Sequence, residues 1–189
     1  TNIRQKFYRP IGFANLVFGF TGELGYIDTY GDTKKTPFFE NFYSGGPRSI
    51  RGFESNTLGP RVTPSPCYNF NPETEECPLL IDSDFDGTPD TIGQNPYLYQ
   101  QARDPIGGNF LVEGSLQIIF KLPIIEDQRS MRSAFFLDFG NVFSTDCQDY
   151  QINCYEPSVD ELRYSIGVGV TWITGFGPMS FSFSQPFND

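Results

Sequence analysis

The fold class that this sequence predicts is all-β: an antiparallel transmembrane β-barrel fragment of about five to six long strands with long extracellular loops. Three observations carry that expectation. Polar and apolar residues alternate with period two over stretches longer than a soluble strand needs. Short and long connections alternate between those stretches. Finally, no run of about 18 apolar residues is present and 19 Gly and 15 Pro are scattered through the 189 residues, so long helices are disfavoured, spanning ones included.

Taken in chain order, residues 2–11 form a candidate strand that ends at Pro10. Residues 13–27 place Leu16, Phe18, Phe20, Leu24 and Tyr26 on one face, against Asn15, Thr21 and Glu23 on the other. Residues 109–122 set Phe110, Val112, Leu116, Ile118 and Phe120 opposite Glu113, Ser115, Gln117 and Lys121. Residues 132–143 divide into Phe135, Leu137, Phe139 and Phe143 against Arg132, Phe136, Asp138 and Gly140. Residues 161–173 alternate Tyr164, Ile166, Val168, Val170 and Trp172 with Arg163, Ser165, Gly167, Gly169 and Thr171. Residues 179–187 oppose Met179, Phe181 and Phe183 to Ser180, Ser182 and Ser184. A helix would scatter these charges around its circumference, whereas a strand gathers them on one side.

The competing interpretation is a soluble antiparallel sandwich with one wet face. Strand length favours the membrane, because soluble strands run to about 5 or 6 residues and spanning ones to about 9 to 11. Aromatic residues near strand ends (Tyr26, Phe143, Tyr164, Trp172) suit an interfacial girdle. Residues 123–131 and 174–178 are short connections, while 28–108 and 144–160 are long, as periplasmic turns and extracellular loops alternate in such barrels. Five or six strands cannot close a barrel, since about eight are needed, and lipid does not tolerate open sheet edges. With no initiator Met and no signal-peptide pattern at Thr1, the chain reads as a piece of a longer secreted protein.

Composition narrows the chemistry. The net charge is −10 and there is no His, which argues against a nucleic-acid partner and removes Ser-His-Asp or Cys-His catalysis. The acidity is local: residues 61–106 hold eight acids and two bases, and residues 144–161 hold five acids and no base. The four cysteines fall in the same two segments. Cys67 with Cys77 and Cys147 with Cys154 each close a short ring that matches no metal or redox spacing, so two local disulfides in an oxidising compartment are expected.

Residues 37–60, PFFENFYSGGPRSIRGFESNTLGP, are the most unusual stretch. They resemble the sixth extracellular loop of the BamA family, barrel subunits of the machinery that folds proteins into the bacterial outer membrane, in FYSGG, in the Ile-Arg-Gly-Phe core and in the following Gly-Pro. FFLDFGNVF at 135–143 and GFGPMSFSFSQPF at 175–187 are similar to late barrel strands of that family. The resemblance covers nearly the whole chain as the C-terminal portion of a barrel domain lacking its last strand, apart from residues 61–106, an acidic loop insertion. It implies that the loop folds back into the lumen through Gly45, Gly46, Ile50, Arg51, Gly52 and Phe53. It further implies that Arg51, a rigid five-donor fork, meets Asp138, with Phe136 and Gln117 nearby. Gln117 stands where relatives often carry an acid, so that contact would be a neutral hydrogen bond. A merely solvated Arg51 is the alternative from composition alone.

The same resemblance implies an outer-membrane, non-enzymatic assembly factor. Its partners would be nascent outer-membrane β-barrel proteins, accessory lipoproteins and outer-membrane lipid, with no required cofactor. A two-partner-secretion translocation barrel of the same superfamily is the runner-up, and a soluble calcium-dependent adhesion module is the third reading. Asp82, Asp84, Asp86 and Asp90 occupy alternate positions of a calcium-loop pattern with Gly87 at the turn, but Gly93 stands where the bidentate Glu belongs. A solvated acidic loop and a weak calcium site both remain open there.

Overall fold

The computed structural model describes residues 1–12, 15–29, 36–62, 104–122, 130–147 and 154–188. Six strands follow one another in a single antiparallel meander, each paired to its sequence neighbour: β1 (Asn2–Pro10), β2 (Val17–Tyr26), β3 (Phe110–Phe120), β4 (Met131–Phe143), β5 (Arg163–Thr174) and β6 (Gly177–Phe187). Their lengths of 9 to 13 residues are those of membrane-spanning strands. The sheet is not closed, and β1 is exposed at every position.

Most strand boundaries shift by one or two residues from the sequence reading, β2's start by four, and two of the shifts have a visible local cause. β2 begins at Val17 rather than at residue 13, because the chain reverses directly after Pro10: Pro10 pairs with Val17, and Ile11 N–H donates to Leu16 O at 2.9 Å. Asn15 takes φ of 54° in that reversal, one of the few residue types that tolerate the left-handed region. β6 begins at Gly177, two residues early, because Thr174 pairs with Gly177 across the two-residue link Gly175-Phe176.

Register sorts the side chains into two surfaces. One carries Leu116, Ile118, Phe135, Leu137, Ile166, Val168, Phe181 and Phe183, all substantially exposed, with Phe181 at 60%. Such a surface is costly in water and favourable in hydrocarbon. The other carries Lys6, Thr21, Ser115, Asp138 and Ser165 as one cross-strand row, and Tyr8, Gly19, Gln117, Phe136 and Gly167 as the next.

The connections after β2 and β4 leave from the same end of the sheet, and the first returns to cover the polar face. Phe42 and Gly108 exchange N–H···O bonds at 2.8 and 3.1 Å, and Val62 and Ile106 bond to Asp104 and Pro60. The buried apolar residues Ile50 and Leu58 of this loop and Leu111 and Val142 of the sheet's covered face lie where the loop meets the sheet, while Phe143 is buried at the end of β4 beside Phe110. Cys147 is joined to Cys154 at the start of the β4–β5 connection. The neighbouring Thr145 and Asn109 exchange hydrogen bonds at 2.6 and 2.9 Å, which ties that connection to the start of β3.

Candidate functional site

The loop tip is a tight reversal from Gly45 to Ile50. Gly46 N–H donates to Ile50 O at 3.1 Å and Ser49 N–H to Gly46 O at 3.1 Å. Gly45 and Gly46 adopt φ of 102° and 100°, a region closed to residues with a Cβ except at a strain cost. This turn aims Ile50 and Arg51 at β4. Ile50 is wholly buried over Gly140, where an added Cβ would lie 3.1 Å from Ile50 Cδ1.

Arg51 meets Asp138 in fork geometry: Nε to Oδ2 at 2.7 Å and Nη2 to Oδ1 at 2.7 Å. The Arg51 backbone N–H adds a third bond to Oδ2 at 3.1 Å, and the Ser115 hydroxyl donates to Oδ1 at 2.6 Å. These bonds use about all four acceptor sites of a carboxylate. Ser165, the cross-strand neighbour of Asp138, is left with a buried hydroxyl that has no partner among the described residues. Asp138 is completely buried while Arg51 keeps 17% of its side chain exposed, so the pair is largely withdrawn from solvent. The guanidinium also lies over the Phe136 ring, with Cζ 3.3 Å from the centroid, a cation–π contact strengthened by desolvation. Gly167 makes room for that ring: a Cβ there would come within 2.6 Å of Phe136 Cζ.

The site lies deep. Asp138 is five residues from the end of β4, so the loop descends about 17 Å along the sheet before it is caught. The arrangement is a loop clamped across strands by an ion pair, hydrogen bonds and a cation–π contact.

The sequence matches the Omp85 superfamily domain over residues 1–189. The chain belongs to the Omp85 superfamily. This Omp85 chain is 32% identical over 183 residues to the outer membrane protein assembly factor BamA of Neisseria meningitidis serogroup B, an alignment covering 87% of the chain and 18% of that protein. Its fold is similar to the crystal structure of BamA from Haemophilus ducreyi lacking POTRA domains 1–3, with a TM-score of 0.68 and 25% identity over 98% of this chain and 31% of that one. The likeness to BamA expected from the loop motif is thus found in both sequence and fold, and the strands are those of an outer-membrane β-barrel. The chain spans less than a third of the length of either relative.

Within this Omp85 sheet the remaining residues named from the sequence fall as follows. Gly52 adopts φ of 96° beside Ser165 and Ser184, carrying the loop toward β5 and β6. Phe53 is half-buried. Gln117 does not bond to Arg51; its Nε2 donates to Ser115 Oγ at 3.1 Å, and Ser115 in turn accepts from Arg51 Nη2 at 3.1 Å. The neutral contact expected of Gln117 is therefore made one residue removed. Ser115 is the participant that sequence reasoning missed, although its place on the polar face two residues from Gln117 was visible. Asp82, Asp84, Asp86, Asp90, Cys67 and Cys77 lie outside the described residues.

Proposed function

We propose that this chain is part of an outer-membrane protein assembly factor, which folds and inserts β-barrel proteins into the bacterial outer membrane by non-covalent means. Its relatives support the reading, and the observation that carries it is the clamp of Arg51 on Asp138, Ser115 and Phe136. A barrel that handles unfolded strands must keep its own late strands in register. A loop anchored mid-sheet supplies that rigidity without closing the sheet at its edges. Clients would be nascent barrel proteins whose unpaired strand edges are recruited by β-augmentation, the backbone of one strand completing the hydrogen bonds of another. Accessory lipoproteins would act with the full-length protein, and the long loops would face the cell exterior.

The test is reconstitution of the full-length parent protein in liposomes, with a urea-denatured β-barrel client added and folding followed by heat-modifiable gel migration. Faster client folding than in empty liposomes is the expected result. Unchanged folding, with passage of a soluble passenger protein instead, would replace this reading by a translocation barrel.

A further inference from the structure

Glu113 has no explanation within the sheet. In the β2–β3 register it lies directly across from Glu23, on the same polar face. Like charges placed directly opposite destabilise a strand pair. Glu23 has partners of its own on β1, since Arg4 and Asn2 both donate to its carboxylate, Asn2 at 2.8 Å. Among the described residues Glu113 forms no ion pair, and on its other side the β4 neighbour is Gly140, which offers no side chain. Among the described residues its hydrogen-bonding partner is the Ser49 hydroxyl, from the loop tip.

Ser49 is fully committed to that contact. A serine hydroxyl has one donor and two acceptor positions. The Gly45 N–H donates to Ser49 Oγ at 2.9 Å and the wholly buried Ser44 hydroxyl lies 3.1 Å away, so the Ser49 proton is directed to Glu113. The side chain that shapes the tight turn therefore also ties it to β3. Arg51, two residues on, ties the same turn to β4.

We propose that Ser49 and Glu113 form a second latch of the loop tip, and that Glu113 is a positioning residue for the assembly activity; the latter part rests on the function proposed above. The two anchors sit one pleat repeat apart, about 7 Å, on neighbouring strands. The Arg51 contacts hold the loop just past the turn, and the Ser49 bond holds the turn itself. Two anchors fix its orientation, and the unfavourable placement of Glu113 opposite Glu23 is relieved only when the loop is seated.

Amide hydrogen exchange over residues 44–52 of the full-length protein in a bilayer tests the latch, with client folding measured on the same preparations. Glu113→Gln keeps a weaker, neutral acceptor and should exchange between the wild type and Glu113→Leu. Glu113→Leu should exchange about ten- to a hundredfold faster, the range expected for losing a hydrogen bond to a charged group, and should fold clients more slowly. Ser49→Asp sets carboxylate against carboxylate and should behave likewise, while Ser49→Asp combined with Glu113→Gln should restore both exchange and folding. If Glu113→Leu does not yield folded protein, the Ser49→Asp variant and its suppressor decide alone. Unchanged exchange in Ser49→Asp, or no rescue by Glu113→Gln, would overturn the latch. Altered exchange with unaltered client folding would overturn the positioning role. A wild-type protein that folds no client would instead overturn the function proposed above, while the exchange pattern still decides the latch.

Discussion

Asp138 is wholly buried whereas Arg51 retains a path to water, so the two halves of the clamp are unequal. Removing Arg51 strands a buried carboxylate, at a cost of about 3 to 5 kcal/mol. Removing Asp138 leaves a guanidinium that can still reach solvent, so Asp138→Leu should cost less than Arg51→Ala. The double variant should lose much less than the two single losses combined, as read from denaturation of the full-length barrel; strict additivity would mean that the contact is not made in solution. Arg51→Lys should fall between wild type and Arg51→Ala. An ammonium keeps the charge, but it cannot hold both Asp138 oxygens in a fork while reaching Ser115 and lying flat on Phe136.

Among the elements, β6 separates its two environments one residue at a time. Phe181 pairs with Val170 on the apolar face, and Ser182 pairs with Gly169 on the polar one. Both lie near the middle of the strand, where a charge facing lipid is most expensive. Phe181→Lys should destabilise the full-length barrel by about 2 to 4 kcal/mol, and Ser182→Lys by far less, because its ammonium enters a polar lumen. Equilibrium unfolding in lipid vesicles compares them. Equal losses would show that the two faces are not lipid and lumen.

At the scale of the whole molecule, the meander leaves a free edge along β1 and another along β6. Among the described residues no strand pairs with either edge, and each is then a row of backbone donors and acceptors that hydrocarbon does not satisfy. A polypeptide limited to these 189 residues should therefore associate through its edges in detergent and give no monomeric heat-modifiable species on a gel. The full-length barrel, with more strands to pair, should give one. A discrete folded monomer from the 189 residues would mean that the edges find partners within the chain.

Period-two alternation by itself determined which residues share a face, since successive strand side chains point to opposite sides whatever the strand pairs with. Thus Asp138 and Gln117 were legible as polar-face residues, and Phe181 and Phe183 as lipid-face ones. The loop motif, through its resemblance, pointed Arg51 inward. What only the tertiary structure decided is register and the partners that depend on it. Ser115 stands opposite Asp138, Gln117 serves Arg51 only through Ser115, and Glu113 faces Glu23 and receives Ser49. Ser49 and Glu113 are 64 residues apart and Arg51 and Asp138 are 87 apart. Local periodicity carries no information over such separations; the contacts exist because antiparallel pairing aligns β2, β3 and β4 row by row, and because a glycine-permitted turn delivers the loop to those rows.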